Sequence, residues 1–204
     1  MAARGLRLAG VAAGMIVILT VLLGILYPLV MTGAAQALFP GSADGSLVKL
    51  DGRVVGSELA GQAFTSPAYF HTRPSATTPP DNPSATTFAN LGPNNIALQD
   101  AVRGYIRDAL KLERPYNPGL RTQDLPVDMV TTSASGIDPD ISVANARLQA
   151  TRVAKVRRVP PGRVLDLIDD NTDGRSLGFL GEAGVNVLTL NLDLDRLAGP
   201  PTRP

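Results

Sequence analysis

The chain has 204 residues, 44% of them hydrophobic and 4% aromatic, with 19 Lys plus Arg against 18 Asp plus Glu, one histidine and no cysteine. A disulfide framework is therefore excluded, and His71 as the single histidine excludes a His- or Cys-rich metal site. Setting aside Arg4 and Arg7 leaves 17 basic and 18 acidic residues, a net charge of −1 that argues against nucleic acid as a partner.

No charged residue occurs between Arg7 and Asp44, and Thr20 is the only polar side chain in residues 8–27 ahead of Tyr27. About 20 such residues, rising about 1.5 Å each, cross a bilayer core. A cleaved secretory signal would share the basic start and could use Ala35-Gln36-Ala37 for cleavage, but its apolar region is about 7 to 15 residues. The length favours a retained anchor. Tyr27 and Pro28 fall where an interfacial aromatic and a helix disruption are expected. Arg4 and Arg7 precede the helix and no basic residue follows until Lys49, so the positive-inside bias predicts a cytoplasmic N-terminus over 1–7. It also predicts a transmembrane helix over 8–30 and one extracytoplasmic mixed α/β (α+β) domain over 31–204.

Beyond the anchor, Leu47-Val48-Lys49-Leu50 and Arg53-Val54-Val55 flank Asp51-Gly52, a hairpin signal because Asp-Gly adopts positive φ readily. Five prolines between His71 and Asn95 predict an irregular loop near 71–97, of a length that is uncommon inside a compact domain. Leu98, Ala101, Val102, Tyr105, Ile106, Ala109 and Leu112 recur at helical spacing, with Asp100, Arg103, Arg107 and Lys111 opposite, so an amphipathic helix is predicted. Pro115 and Pro118 end it, and a second irregular stretch runs over 115–141. Ser142 then caps a helix carrying Leu148 and Val153, and Pro160-Pro161 stops it and starts a short one through Val164 and Ile168. Leu188, Leu190, Leu192 and Leu194 alternate with polar residues, which predicts a final strand with one buried face.

Motifs for chemistry are sparse. A Ser-His-Asp triad would have to recruit His71 from the proline-rich loop, and no Gly-x-Ser-x-Gly or phosphate-binding Gly-rich motif is present. Asp169-Asp170-Asn171-Thr172-Asp173-Gly174 opens like a calcium loop, but the closing carboxylate position holds Leu180, with Glu182 two places late. A polar turn is the competing reading. The hydroxyl- and Asp-rich residues 131–142 could bind a cation or phosphate, or serve turns and caps.

Several ordered motifs resemble the C subunit family of Kdp potassium-transporting P-type ATPases, almost end to end. They are Leu23-Gly24-Ile25-Leu26-Tyr27-Pro28, Arg73-Pro74-Ser75-Ala76, Asn90-Leu91-Gly92-Pro93, Thr132-Ser133-Ala134-Ser135-Gly136-Ile137-Asp138-Pro139, Arg152-Val153-Ala154 and Leu177-Gly178-Phe179-Leu180-Gly181-Glu182. The chain departs from the family at 85–89, usually rich in Ser and Gly, and at Asp140, often His. The resemblance implies an inner-membrane, non-catalytic accessory subunit of a high-affinity potassium uptake pump. Its implied partners are a channel-like A subunit, an ATP-hydrolysing B subunit, a small F subunit and membrane lipid. It further implies a catalytic chaperone that raises ATP affinity, with ATP as the cofactor concerned and potassium handled by the complex. Contact candidates for partner or nucleotide are Arg73, Ser75, Asn90, Ser133, Ser135, Gly136 and Asp138, while Gly10 and Gly14, a Gly-x-x-x-Gly pair, are candidates for helix packing. Two rival readings are an anchored extracytoplasmic enzyme using Asp138, Asp140 and Asp169, and a calcium-binding module.

Overall fold

The computed structural model describes residues 2–85 and 90–201, so most of the departure at 85–89 lies outside the described residues. The chain divides into two compact units, residues 1–47 and residues 48–204. In the first, α1 (Ala2–Val21) passes through a π-helical turn (Leu22–Leu26) into α2 (Tyr27–Leu38), and the short α3 (Pro40–Ala43) follows. Residues Ala3–Leu38 form one helix long and apolar enough to cross a membrane. The disruption expected at Pro28 takes the form of that π turn rather than a helix end. Pro28 has no N–H to offer, and the Tyr27 N–H reaches back five residues to Leu22 O.

The boundary between the units falls at the start of a hairpin, β1 (Leu47–Leu50) and β2 (Arg53–Ser57), turned by Asp51 at φ 51° and Gly52 at φ 77°, as the Asp-Gly pair predicts. Residues 58–95 then contain no named helix or strand among those described. The amphipathic pattern becomes α4 (Ile96–Glu113), whose N-cap Asn95 side chain accepts the Ala97 N–H at 2.9 Å. A 3-10 turn (Thr122–Asp124) and α5 (Val127–Val130) break the second irregular stretch. Next come β3 (Asp140–Ser142), α6 (Val143–Arg157), α7 (Pro161–Asp170), β4 (Thr172–Asp173), β5 (Gly184–Asn186) and α8 (Val187–Ala198). The domain is thus mixed α/β, as expected.

The sheet is small and antiparallel, ordered β3-β5-β4, with Val185 opposite both Ile141 and Thr172. α6, α7 and α8 pack on one another, and the core joins Ile141 and Val185 to Val153, Val164, Ile168, Val187, Leu190 and Leu194. Each such side chain, taken out of water, contributes about 1.5–3 kcal/mol before entropy is charged against it. Ser142 caps α6 by accepting the Asn145 N–H at 3.1 Å.

The predicted final strand is a helix. Leu188, Leu190, Leu192 and Leu194 lie in α8, and the strand is the three residues before it. The Asn186 side chain accepts the Thr189 N–H at 3.2 Å and so nucleates the helix. Leucine is a strong helix former without β-branching. Val187, Leu190, Asn191 and Leu194 are buried at three- and four-residue spacing, so the same leucines satisfy a helical period as well as an alternating one.

Candidate functional site

The segment from Pro67 to His71 has no strand neighbour, yet Phe70 is fully buried in the core. Side chains of α6 and α8 supply what a neighbouring strand would. Asn191 accepts the Phe70 N–H and donates to Phe70 O, both at 2.9 Å. Gln149 does the same for His71, at 2.8 and 3.1 Å. Arg152 donates to Tyr69 O at 2.8 Å and to Pro67 O, and its Nη2 meets Gln149 Oε1 at 2.7 Å. Its Nε pairs with Glu113 Oε1 of α4 at 2.8 Å, with both side chains shut off from water. Every nitrogen of this buried guanidinium group therefore has a partner, which is the condition for tolerating a charge in the core. Burial pushes the Glu113 carboxyl above the usual carboxylate range, and the Arg152 charge opposes that shift.

Beyond His71 the chain enters the proline-rich loop, where most of the predicted contact residues converge. Arg73 Nη1 meets Asp138 Oδ2 at 3.1 Å, and its Nη2 donates to Thr132 O at 3.2 Å and Thr131 Oγ1 at 3.3 Å. Ser75 Oγ donates to Gly136 O at 2.6 Å and accepts the Asp81 N–H at 2.9 Å. On the facing loop, Ser133 Oγ accepts the Gly136 N–H at 2.7 Å, Ser135 Oγ accepts from Ile137, and Asp138 Oδ1 accepts from Asp140. Gly61 makes a third link in this staple. Its N–H donates to Ile137 O at 2.8 Å, and a Cβ there would lie 2.6 Å from Asp138 O, so only glycine permits the approach.

Arg73, Ser75, Ser133, Ser135, Gly136 and Asp138 thus form one cluster whose polar groups tie two irregular loops together. Asn90 does not join it; it is exposed, at φ 45°. Gly10 and Gly14 lie in the other unit, where an added Cβ would meet nothing within 4 Å.

Beside the cluster, α4 and the proline-rich loop border an open cleft of about 360 Å³ lined by Phe64, His71, Arg73, Tyr105, Leu112 and Met129, among others. His71 is poorly placed as a general base. Burial, aided by the Arg152 charge, lowers its pKa to about 4, against a weaker upward pull from Ser66 O. The neutral ring donates its Nε2 hydrogen to that oxygen at 2.9 Å. Burial raises Asp81, with the Thr72 hydroxyl opposing. A second cavity of about 440 Å³ gathers Asp140, Asp170, Asp173 and Glu58. Burial raises Asp140 there, the Asn186 amide opposes, and the Asp138 and Asp173 charges add to the rise.

The predicted calcium-loop residues diverge: Asp169 pairs with Arg147 at 3.1 Å, Asn171 bonds Asp193, and Glu182 pairs with Arg175. Among the described residues no three His, Cys, Asp or Glu side chains are grouped to hold a metal. The buried partners Glu113, Asn145, Gln149, Arg152 and Asn191 escaped prediction. One signal was present: Asn145, Gln149 and Arg152 repeat at four- and three-residue spacing on the face of α6 that also carries Ala146, Ala150 and Val153.

The family described as "K+-transporting ATPase, c chain" (KdpC) matches residues 10–196. Similar proteins carry the description "Potassium-transporting ATPase KdpC subunit". That of Methylobacterium nodulans is 49% identical over 195 residues, covering 90% of this chain and 94% of the relative. That of Janthinobacterium sp. is 53% identical over 179 residues, covering 87% and 92%. That of Polaromonas naphthalenivorans is 55% identical over 181 residues, covering 88% and 90%. A family match over residues 10–196, with relatives about half identical across nearly nine-tenths of the chain, shows that the protein belongs to the KdpC family of potassium-transporting ATPase subunits.

Proposed function

We propose that this subunit is non-catalytic, that it supports assembly of the pump, and that it raises the ATP affinity of the hydrolysing subunit. The observation that carries the non-catalytic part is the fate of the motif side chains. Arg73, Ser75, Ser133 and Asp138 spend their polar atoms on backbone groups and on one another. Ser75 gives its proton to a carbonyl oxygen rather than to a base, and a pKa of about 4 makes His71 too weak a base to take a proton from a hydroxyl, so neither is activated as a nucleophile or a base. The cluster ties two loops together.

In this reading the helix is a membrane span with residues 1–7 in the cytoplasm and the domain from about residue 31 outside the inner membrane. The basic Arg4 and Arg7 support that orientation. Gly10 and Gly14 let a partner helix approach closely. The partners are the channel-like, ATP-hydrolysing and small subunits of the pump. An outside domain acts on ATP affinity without touching nucleotide if it binds one conformation of the pump more tightly than the other. Reconstituting the remaining subunits with and without this chain tests it. The KM for ATP is expected to fall when the chain is added, with kcat changed less; an unchanged KM would overturn the proposal.

A further inference from the structure

The residues between β4 and β5 fold into a loop with an apolar tip. Arg175 and Glu182 close its base through an ion pair, Nη2 to Oε2, at 2.9 Å. Within it the Gly178 N–H donates to Arg175 O at 2.9 Å, and the Phe179 and Leu180 N–H groups donate to Ser176 O at 3.3 and 2.9 Å. Three residues are left-handed: Leu177 at φ 54°, Gly178 at 83° and Gly181 at 79°. The glycines adopt that conformation freely, whereas a leucine is strained in it.

Folding alone gives no reason for this arrangement, because the strained leucine is 83% exposed, Phe179 is 69% exposed and Leu180 is 50% exposed. Apolar side chains held in water on a pre-set backbone are the makings of a binding anchor: little ordering remains to be lost on docking. From this loop, and resting on the accessory-subunit reading above, we propose that residues 175–182 are a docking knob. Leu177 and Phe179 enter an apolar pocket on another protein subunit of the ATPase.

Two observations favour a protein pocket over the bilayer surface. The knob has a fixed shape, set by three left-handed residues and an ion-paired base, and a fluid bilayer rewards no particular shape. It also offers no net positive charge for anionic headgroups, since Arg175 is paired and its partner Glu182 is 87% exposed.

The chain contains no tryptophan, so Phe179→Trp in the full-length protein places a single reporter at the tip. Its emission, taken as the difference from the wild-type complex, is expected to stay solvent-like in detergent and in lipid vesicles holding this chain alone. It should shift to the blue and lose acrylamide quenching when the other subunits are added. A blue shift in vesicles without partners would assign the knob to the membrane and overturn the proposal, as would an unshifted emission in the assembled complex.

A second variant separates the knob from the fold. Leu177→Gly relieves the strained backbone, so the thermal midpoint is expected to hold or rise while capture of partner subunits weakens at least about tenfold. If Leu177→Gly assembles like wild type, the knob is wrong and the accessory-subunit reading stands. If the wild-type chain itself captures no partner, that reading falls and takes the knob with it.

Discussion

Arg152 ties three parts of this domain together, because its one guanidinium group touches α4, α6 and the segment leading into the proline-rich loop. Arg152→Met leaves Glu113 buried with no counter-charge and is expected to cost about 3–5 kcal/mol. The double variant Arg152→Met with Glu113→Leu should recover part of that loss. Urea denaturation of both, against wild type, checks the order. His71 makes a second prediction with a definite sign. Its folded-state pKa of about 4 lies below the ordinary 6.5, so the unfolded chain takes up the proton first. Stability contributed by His71 is therefore complete above pH 6.5 and falls as the pH drops toward 4, by on the order of 3 kcal/mol. Asp81, Glu113 and Asp140 are shifted upward and oppose this trend, losing stability as the pH rises. His71→Gln isolates the histidine: the difference between wild type and variant should shrink with acid through that window.

At the scale of elements, what is decided locally is legible in the sequence. The β1–β2 turn follows from Asp51-Gly52, α4 from its apolar spacing, and the start of α6 from Ser142. α8 is not legible by alternation, because its leucines fit both periods and the cap at Asn186 settles the matter. Asn186→Ala should cost about 1 kcal/mol, read as a lower thermal midpoint with the strand pairing of β5 kept. The stapled loops are half legible. Their residue types mark them as specific, but the partners lie 58 to 65 positions apart for Arg73 and 121 for Phe70, and no local spacing rule reports such pairings. Loss of the staple in the double variant Arg73→Ala, Ser75→Ala should speed amide exchange in residues 72–82 and 131–138 while leaving α6 and α8 protected.

For the whole molecule, the two units divide the work. Residues 48–204 contain the hydrophobic core, whereas the π-helical turn and α2 include no fully buried residue. Residues 48–204 produced alone should therefore unfold cooperatively, with one transition by circular dichroism and by tyrosine fluorescence. Family membership, the anchor and the inert polar cluster lead to one claim, that the chain works as a non-catalytic member of a potassium-transporting ATPase. Purifying the tagged full-length chain from membranes in mild detergent tests it most directly. An ATP-hydrolysing subunit should come with it, and potassium-stimulated hydrolysis should appear in the complex but not in this chain alone. Hydrolysis by the isolated chain, or its purification free of any ATPase subunit, would contradict the account.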